Sequence, residues 1–525
     1  MILSYKWHLT GLAAVAASAL LVGCAVGPNF KTPAVPDTDS YSKTPLRDPP
    51  GTAGVTGGGS QHFVPDLDLP AQWWTLFHSR ALNALVESSL AANPNINAAQ
   101  DALVVARENV SAQVGAYYPS ISAGFSAQRA KSSAELSPVT NTNALYYTLY
   151  TPEVSVSFVP DVFGLNRRTV ESLRAQAGQQ RYALEATYVT LSSNVVAAAI
   201  QEASLRGQIA ATQQLIDINK KMMEILRKQV SAGYANGLDL AAQEGQLAQV
   251  VATMPPLLKQ LAQQRDLLSA LAGRFPSQEP AETFELSSLE LPRGLPVSLP
   301  SRLVEQRPDV RQAEENLHSA CAQVGIAVAN RLPNFNLSAN AGTSALALSQ
   351  LFAPGVGYWT LAGAVTQPVF EGGTLLHRER AARAAWRQAD EQYRATLLTA
   401  LQNVADTLHA LEQDGDALKA AHDAERAAKT TLDLTRRQLQ TGYTNGLALL
   451  NAEQAYQQAV INLVQAEANR YADTAALFQA LGGGWWNRPT PTRSVERSAD
   501  SPPRRTVIAK PNESAAQIPA SFARS

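Results

Sequence analysis

From Arg167 to Ser231, and again from Thr374 to Thr441, the chain contains no proline. At 1.5 Å per residue each run is long enough for one helix of about 100 Å, far more than a globular core requires. In the second run Trp386, Ala389, Tyr393, Leu397, Ala400, Val404, Leu408 and Leu411 recur at three- and four-residue steps. That is an apolar stripe for packing on neighbouring helices, and its eleven-residue period keeps packed helices nearly straight. Gly207 and Asp414-Gly415-Asp416 fall inside the runs and predict local distortions. Both runs end alike, in Gly233-Tyr234-Ala235-Asn236-Gly237-Leu238 and Gly442-Tyr443-Thr444-Asn445-Gly446-Leu447. Two glycines and an asparagine tolerate positive φ, so the chain turns back there as a helical hairpin. The returning helices, about Leu238 to Ala272 and Leu447 to Leu481, cover half the outgoing length, and Pro255-Pro256 should kink the first. Shorter helices, Asn95 to Ala116 and Asp309 to Arg331, are expected to stack end to end with them.

Ahead of each long run lies a pair of alternating strands. Ile121, Ala123, Phe125 and Ala127 alternate with Ser122, Gly124, Ser126 and Gln128, and Val154, Val156 and Phe158 with Ser155 and Ser157. The second copy sets Phe335, Leu337, Ala339 and Ala341 against Asn336, Ser338 and Asn340, and returns through Trp359, Leu361 and Val365. A period of two with one apolar face defines a strand, and about ten residues suffice for a tilted strand to cross hydrocarbon. Tyr117, Tyr118, Tyr146, Tyr147, Tyr150, Tyr358 and Trp359 near the strand ends suit an interfacial girdle. Four strands cannot close a barrel, and an open edge in lipid leaves backbone groups unpaired. Several chains must therefore share one.

The chain is thus a duplication. Pro94 and Pro308 are 214 residues apart, as are Pro119 and Pro333; Phe163 and Phe370 are 207 apart, and the Gly-Tyr turns 209. The expected division is a leader at 1–23, an extended Pro/Gly-rich lead at 24–70, one repeat at 71–299, a second at 300–486, and a disordered tail at 487–525. Strands are expected at about 119–130, 146–160, 334–344 and 357–368, and long helices at 167–231 and 374–441. Lys6 and the apolar run from Leu9 to Val22 have the shape of an export signal, ending in Leu21-Val22-Gly23-Cys24. Outside that run no apolar stretch is expected to reach the length of a membrane helix.

The remaining residues offer no reactive centre. A net charge of -1 gives no reason for nucleic acid to be a partner. Seven histidines are scattered, and Cys-x-x-Cys, His-Glu-x-x-His, Gly-x-Ser-x-Gly and Walker spacings are missing. Neither an enzyme nor a cofactor or metal site is expected. Cys321, among alanines and valines, reads as a small buried residue.

The lipobox with Cys24-Ala25-Val26-Gly27-Pro28-Asn29-Phe30, Trp73-Trp74-x-x-Phe77, Gln306-Arg307-Pro308-Asp309-Val310-Arg311-Gln312-Ala313-Glu314, Ala322-Gln323-Val324-Gly325 and the two hairpin turns together resemble the TolC-like outer-membrane factors, NodT-type efflux lipoproteins. The resemblance covers nearly the whole chain after Cys24, up to Trp485. It implies a mainly α fold with membrane β: a homotrimer with a shared 12-stranded β-barrel and a 12-helix α-barrel. It implies lipidation at Cys24, residence in the outer membrane of a Gram-negative bacterium, and passive exit of drugs or toxic small molecules. The implied partners are a periplasmic adaptor and an inner-membrane transporter of RND type. Gly233, Tyr234, Gly237 and Leu238, with Gly442, Tyr443, Gly446 and Leu447, become the adaptor-contacting tips, and Asp239 and Asn451 candidates for a periplasmic gate. Ala448 and Asn451 stand where some members carry aspartate, so an acidic ring is in doubt, and Asp239 reads equally as a helix-starting residue. The rival readings are a duct for secreted proteins and a non-conducting coiled-coil lipoprotein, which would have no use for aromatic-edged hairpins.

Overall fold

A computed structural model describes residues 25–34, 38, 40–131, 146–444 and 446–488. The signal segment, Cys24, residues 35–37, 39 and 132–145, Asn445 and the tail from residue 489 lie outside the described residues. Eight α-helices are described: α1 (Arg80–Ala92), α2 (Pro94–Val114), α3 (Leu165–Ser231), α4 (Gly237–Leu271), α5 (Pro300–Gln306), α6 (Pro308–Ala329), α7 (Thr374–Gln440) and α8 (Gly446–Ala480). Six strands accompany them: β1 (His62–Pro65), β2 (Ser120–Lys131), β3 (Tyr146–Phe158), β4 (Gly294–Val297), β5 (Asn334–Thr343) and β6 (Gly357–Thr366).

Each helix start has a local cause. Ser79 and Asn93 accept backbone N–H bonds at the heads of α1 and α2, and Pro94, Pro300 and Pro308 occupy first-turn positions where the missing N–H costs nothing. The long helices α3 and α7, of 67 residues each, start from Gly164 and Gly373 at φ 80° and 85°. A left-handed residue is required there, and glycine adopts it without strain.

The long helices set the layout. Over one half of its length α3 lies between α2 and α6, and over the other half between α4 and α8; α7 packs on α6 and then on α8. The short helices abut in line: Asn93 Nδ2 donates to Leu271 O at 2.9 Å, joining α2 to α4, and Arg307 Nη1 donates to Ala480 O at 3.0 Å, joining α6 to α8. At these joints sits the principal core, where Trp73, Phe77, Phe284, Tyr471 and Phe478 are fully buried. The parallel pair β1 and β4 lies beside it, His62 opposite Gly294.

The structure adds to several expectations and corrects others. In the lead, His62–Pro65 pairs as β1. Gly207 and Gly415 lie inside unbroken helices, and Pro255-Pro256 inside α4. Gly415 instead makes room for the lead, since a Cβ there would lie 2.5 Å from Pro50 Cδ. The Phe163–Phe370 match is not a structural equivalence: the capping glycines are 209 residues apart, like the turns, and the Phe163 ring lies tilted 6.3 Å from that of Phe335 while Phe370 is exposed. The packed body extends past residue 486, with Asn487 bonded to Asp68 and Arg488 to Glu185. Finally, α3 holds an 18-residue window of mean hydropathy 1.2, long and apolar enough to cross a bilayer, but 56% of it is buried in the chain. That window is core stripe.

Candidate functional site

The four-stranded sheet runs in the order β2-β3-β5-β6, every neighbour antiparallel. The register places Phe125 opposite Pro152, Ala123 opposite Val154, Val156 opposite Ala339 and Leu361 opposite Ala339, so one face is apolar across all four strands. Ile121, Phe125, Leu337, Trp359, Leu361 and Val365 on it are exposed. The other face is polar and self-bonded: Ser122 Oγ lies 2.7 Å from Ser155 Oγ, and Ser157 Oγ donates to Asn336 Oδ1. A sheet greasy on one side and hydroxyl-lined on the other separates lipid from water. β2 and β6 each keep an edge with no strand beside it among the described residues.

Where β3 gives way to α3, the lead is fastened. Val26 N donates to Phe163 O at 3.1 Å. Arg168, buried in the first turn of α3, donates to Val26 O (3.0 Å), Asn29 Oδ1 (2.7 Å) and Glu171 Oε2 (2.7 Å). Phe30 stacks on His318 with centroids 4.3 Å apart, and His318 Nε2 lies 3.2 Å from Glu171 Oε1. Gly27 takes φ 91° and lies so close to Gly325 that a Cβ on Gly27 would sit 2.5 Å from Gly325 Cα. Cys321 is fully buried beneath, its Sγ 3.8 Å from Pro28 O.

At the far end the two turns have one geometry. Tyr234 N donates to Gln229 O and Gly233 N to Val230 O; Tyr443 N donates to Gln438 O and Gly442 N to Leu439 O. Both glycines sit at φ 77°, which makes each a Schellman cap. Tyr234 and Tyr443 are each 86% exposed and Leu238 is exposed too, while a Cβ on Gly233, Gly237, Gly442 or Gly446 would meet nothing within 4 Å. The Leu447 side chain lies outside what is described. Asp239 stands in the first turn of α4, where its N–H bonds Asn236 Oδ1 at 2.8 Å. That is a helix-starting position favourable to an anion. Asn451 is exposed on α8. What the structure does bring together is Gln246 of α4 and Gln454 of α8, at 2.8 Å. Glutamines carry no periodic signal in sequence, whether buried like Gln246 or exposed like Gln454.

The lower hairpins are thinly packed. Leu215, Ile216 and Val250 form one small cluster, and Leu432, Leu449 and Ala452 the other. Much of the interior between them is polar: Gln243 Nε2 donates to Asn219 Oδ1 at 2.8 Å, both residues buried. A region with few buried apolar contacts opens at low cost.

At mid-height the lead covers buried charge. Arg470, fully buried, donates to Gln61 Oε1 and Gly59 O. Burial, and then the charge of Asp473, push the Asp414 carboxyl up to about 7, and burial pushes Glu467 up to about 7. The folded state then holds protons that the unfolded chain, with carboxyls at 3.8 and 4.5, has released. Their contribution is present below pH 4 and lost as pH rises through 7. Asp414→Asn combined with Glu467→Gln is expected to raise the thermal midpoint at pH 8 and to leave it nearly unchanged at pH 4, measured on detergent-solubilised protein. Equal shifts at both values would exclude the titration.

The outer membrane efflux protein family matches residues 85–274 and 299–483, one segment in each repeat and more than half of the chain. The chain belongs to that family. It is 25% identical over 484 residues to the toluene efflux pump outer membrane protein TtgC of Pseudomonas putida, covering 92% of this chain and 97% of that protein. To nodulation protein T of Rhizobium leguminosarum bv. trifolii it is 24% identical over 472 residues, covering 89% and 96%. The Campylobacter jejuni CmeC outer membrane channel shares the fold with a TM-score of 0.79 at 19% identity, over 91% of this chain and 98% of that one. The protein is accordingly a TolC-type outer-membrane efflux duct and not an enzyme.

Proposed function

We propose that three copies of this chain form one pore through the outer membrane and a helical tunnel below it, the exit duct of a tripartite pump for small molecules. The observation that carries this reading is the sheet with one apolar and one polar face and two unpaired edges. Unpaired edges in hydrocarbon cost several kcal/mol per backbone group. Three sheets of four strands close into a barrel of 12 strands, and the paired helices beneath continue it as 12 helical positions. Cys24 is the lipidated first residue of the mature chain. Supporting this, the chain two residues later is bonded to Phe163 where the strands end and the helices begin, the level at which acyl chains enter the bilayer.

The turns at Gly233 to Leu238 and Gly442 to Leu447 meet a periplasmic adaptor, whose inner-membrane transporter is of RND type. Exposed Tyr234 and Tyr443 on rigid Schellman caps support such a contact. Asp239 and Asn451 narrow the periplasmic entrance. The relative named for toluene efflux supports small, toxic cargo over secreted protein. Purified protein is expected to have the mass of three chains and to give discrete conductance steps in planar bilayers. A monomer without conductance would overturn the reading.

A further inference from the structure

The duplicated elements meet once inside the chain, β3 and α3 of the first repeat against β5 and α6 of the second, which leaves the equivalent β6 and α7 to meet a β2 and an α2. We propose that a second copy of the chain supplies them in a register fixed by the internal repeat. β6 pairs antiparallel with β2 of the next copy, Val365 opposite Phe125 and Ala364 opposite Ser126. α7 packs on α2 of that copy, Ala381 against Val105 and Arg387 facing Asp101. This rests on the three-copy reading above and goes beyond it by naming the residues of the seam.

The equivalences come from structural landmarks. Gly164 and Gly373, which start the long helices, are 209 residues apart; Pro119 and Pro333, which precede the hairpins, are 214 apart. Hairpin register links the two shifts: Ser120 pairs with Ser157 and Asn334 with Thr366, so a shift of 214 in the leading strands requires one of 209 in the returning strands, the value the capping glycines give. Inside the chain β3 pairs with β5, Val156 opposite Ala339 and Ser155 opposite Asn340. Shifting each partner by its own offset turns these into Val365 opposite Phe125 and Ala364 opposite Ser126. The seam so built keeps the faces in phase: Val365 and Phe125 are both on the apolar face, Ala364 and Ser126 both on the polar one. A register wrong by one residue would have mixed them.

The helices give a second, separate line. Within the chain α3 meets α6 with Ser172 Oγ 3.0 Å from Ser319 Oγ, and with Gly178 so close to the Glu315 carboxylate that a Cβ would lie 2.7 Å from it. The same shifts place Ala381 against Val105 and Arg387 against Asp101 of the next copy. Val105 is 60% exposed on the isolated chain, an odd place for a large aliphatic side chain. Facing an alanine, it would be covered. At the second position the repeat has replaced a glycine and a glutamate by a long cation and a short anion, both exposed. Opposite charges at this spacing fit one another across a subunit boundary.

The test is disulfide cross-linking of full-length protein in outer membranes, with Ala364→Cys combined with Ser126→Cys. Within one chain these positions lie at opposite edges of the sheet, so a bond between them joins two copies. Directly opposed positions are about 5 Å apart at Cβ and positions two residues out of register about 7–8 Å, and disulfides need the shorter distance. Ala364→Cys with Ser126→Cys should therefore give covalent dimers and trimers on non-reducing gels, several-fold more than Ala364→Cys with Gly124→Cys or with Gln128→Cys. A shifted pair that cross-links better would overturn the register and leave the three-copy reading standing. A mass of three chains with no cross-link from any pair would overturn the seam. A monomeric mass would instead sink the three-copy reading itself.

Discussion

Replacing Arg168 by alanine is expected to free the lead from the helical body. Arg168 is one of the few buried cations, and nearly all its donors are used: Val26 O, Asn29 Oδ1 and Glu171 Oε2. Removing it leaves Val26 O and Asn29 Oδ1 without that donor and the part-exposed Glu171 carboxylate with His318 alone. A hydrogen bond to a charged group is worth about 1.5–3 kcal/mol, and losing several exceeds what the stacking of Phe30 on His318 can offset at about 0.5–1.5 kcal/mol. The segment from Val26 to Phe30 should then be cleaved by protease in membranes where the native chain resists. Arg168→Lys should give an intermediate result, because a point charge cannot span donors that the guanidinium fork reaches together. A lead equally protected in Arg168→Ala would show that Gly27 packed on Gly325 suffices.

This anchor also marks how far sequence alone could be read. The long helices, the hairpin strands and both turns were legible, because each rests on local chemistry: proline exclusion, alternation, and glycine at positive φ. Where residues act over long separations, the sequence said little. Arg168 and Val26 are far apart in the chain, and an arginine in a helix rich in polar residues gives no hint that it is buried. Gly415 read as a flaw in α7 because a glycine inside a helix weakens it; its use, admitting Pro50, depends on a segment with no periodicity of its own. The Phe163–Phe370 match misled for a related reason. One shared side chain marked the match, whereas backbone geometry follows the capping glycines. At the entrance, Asp239 and Asn451 came from resemblance, and a side-chain bond that joins one hairpin to the other is Gln246 to Gln454.

Arg436→Ala is expected to widen the periplasmic end. The repeat places an ion pair at matching heights in the two hairpins, Arg227 with Glu244 at 2.9 Å and Arg436 with Glu453 at 3.6 Å. They are not of equal consequence. The first is half exposed on both sides, where a pair contributes about 0–1 kcal/mol. In the second the Glu453 side chain is 1% exposed, and burial raises its pKa while Arg436 holds it down. Without Arg436 the carboxylate must gain a proton or reach water. Only Leu432, Leu449 and Ala452 are buried in the cluster that would resist its escape, so the lower ends of α7 and α8 should part. Conductance in planar bilayers should rise in Arg436→Ala and stay near native in Arg227→Ala. Adding Glu453→Gln to Arg436→Ala removes the buried charge and should return conductance most of the way. The effect should also be larger at pH 8 than at pH 5, since an unpaired Glu453 forced to ionise is what drives the hairpin open. Equal conductance in Arg436→Ala and Arg227→Ala, or no rescue by Glu453→Gln, would show that the buried pair does not hold the entrance.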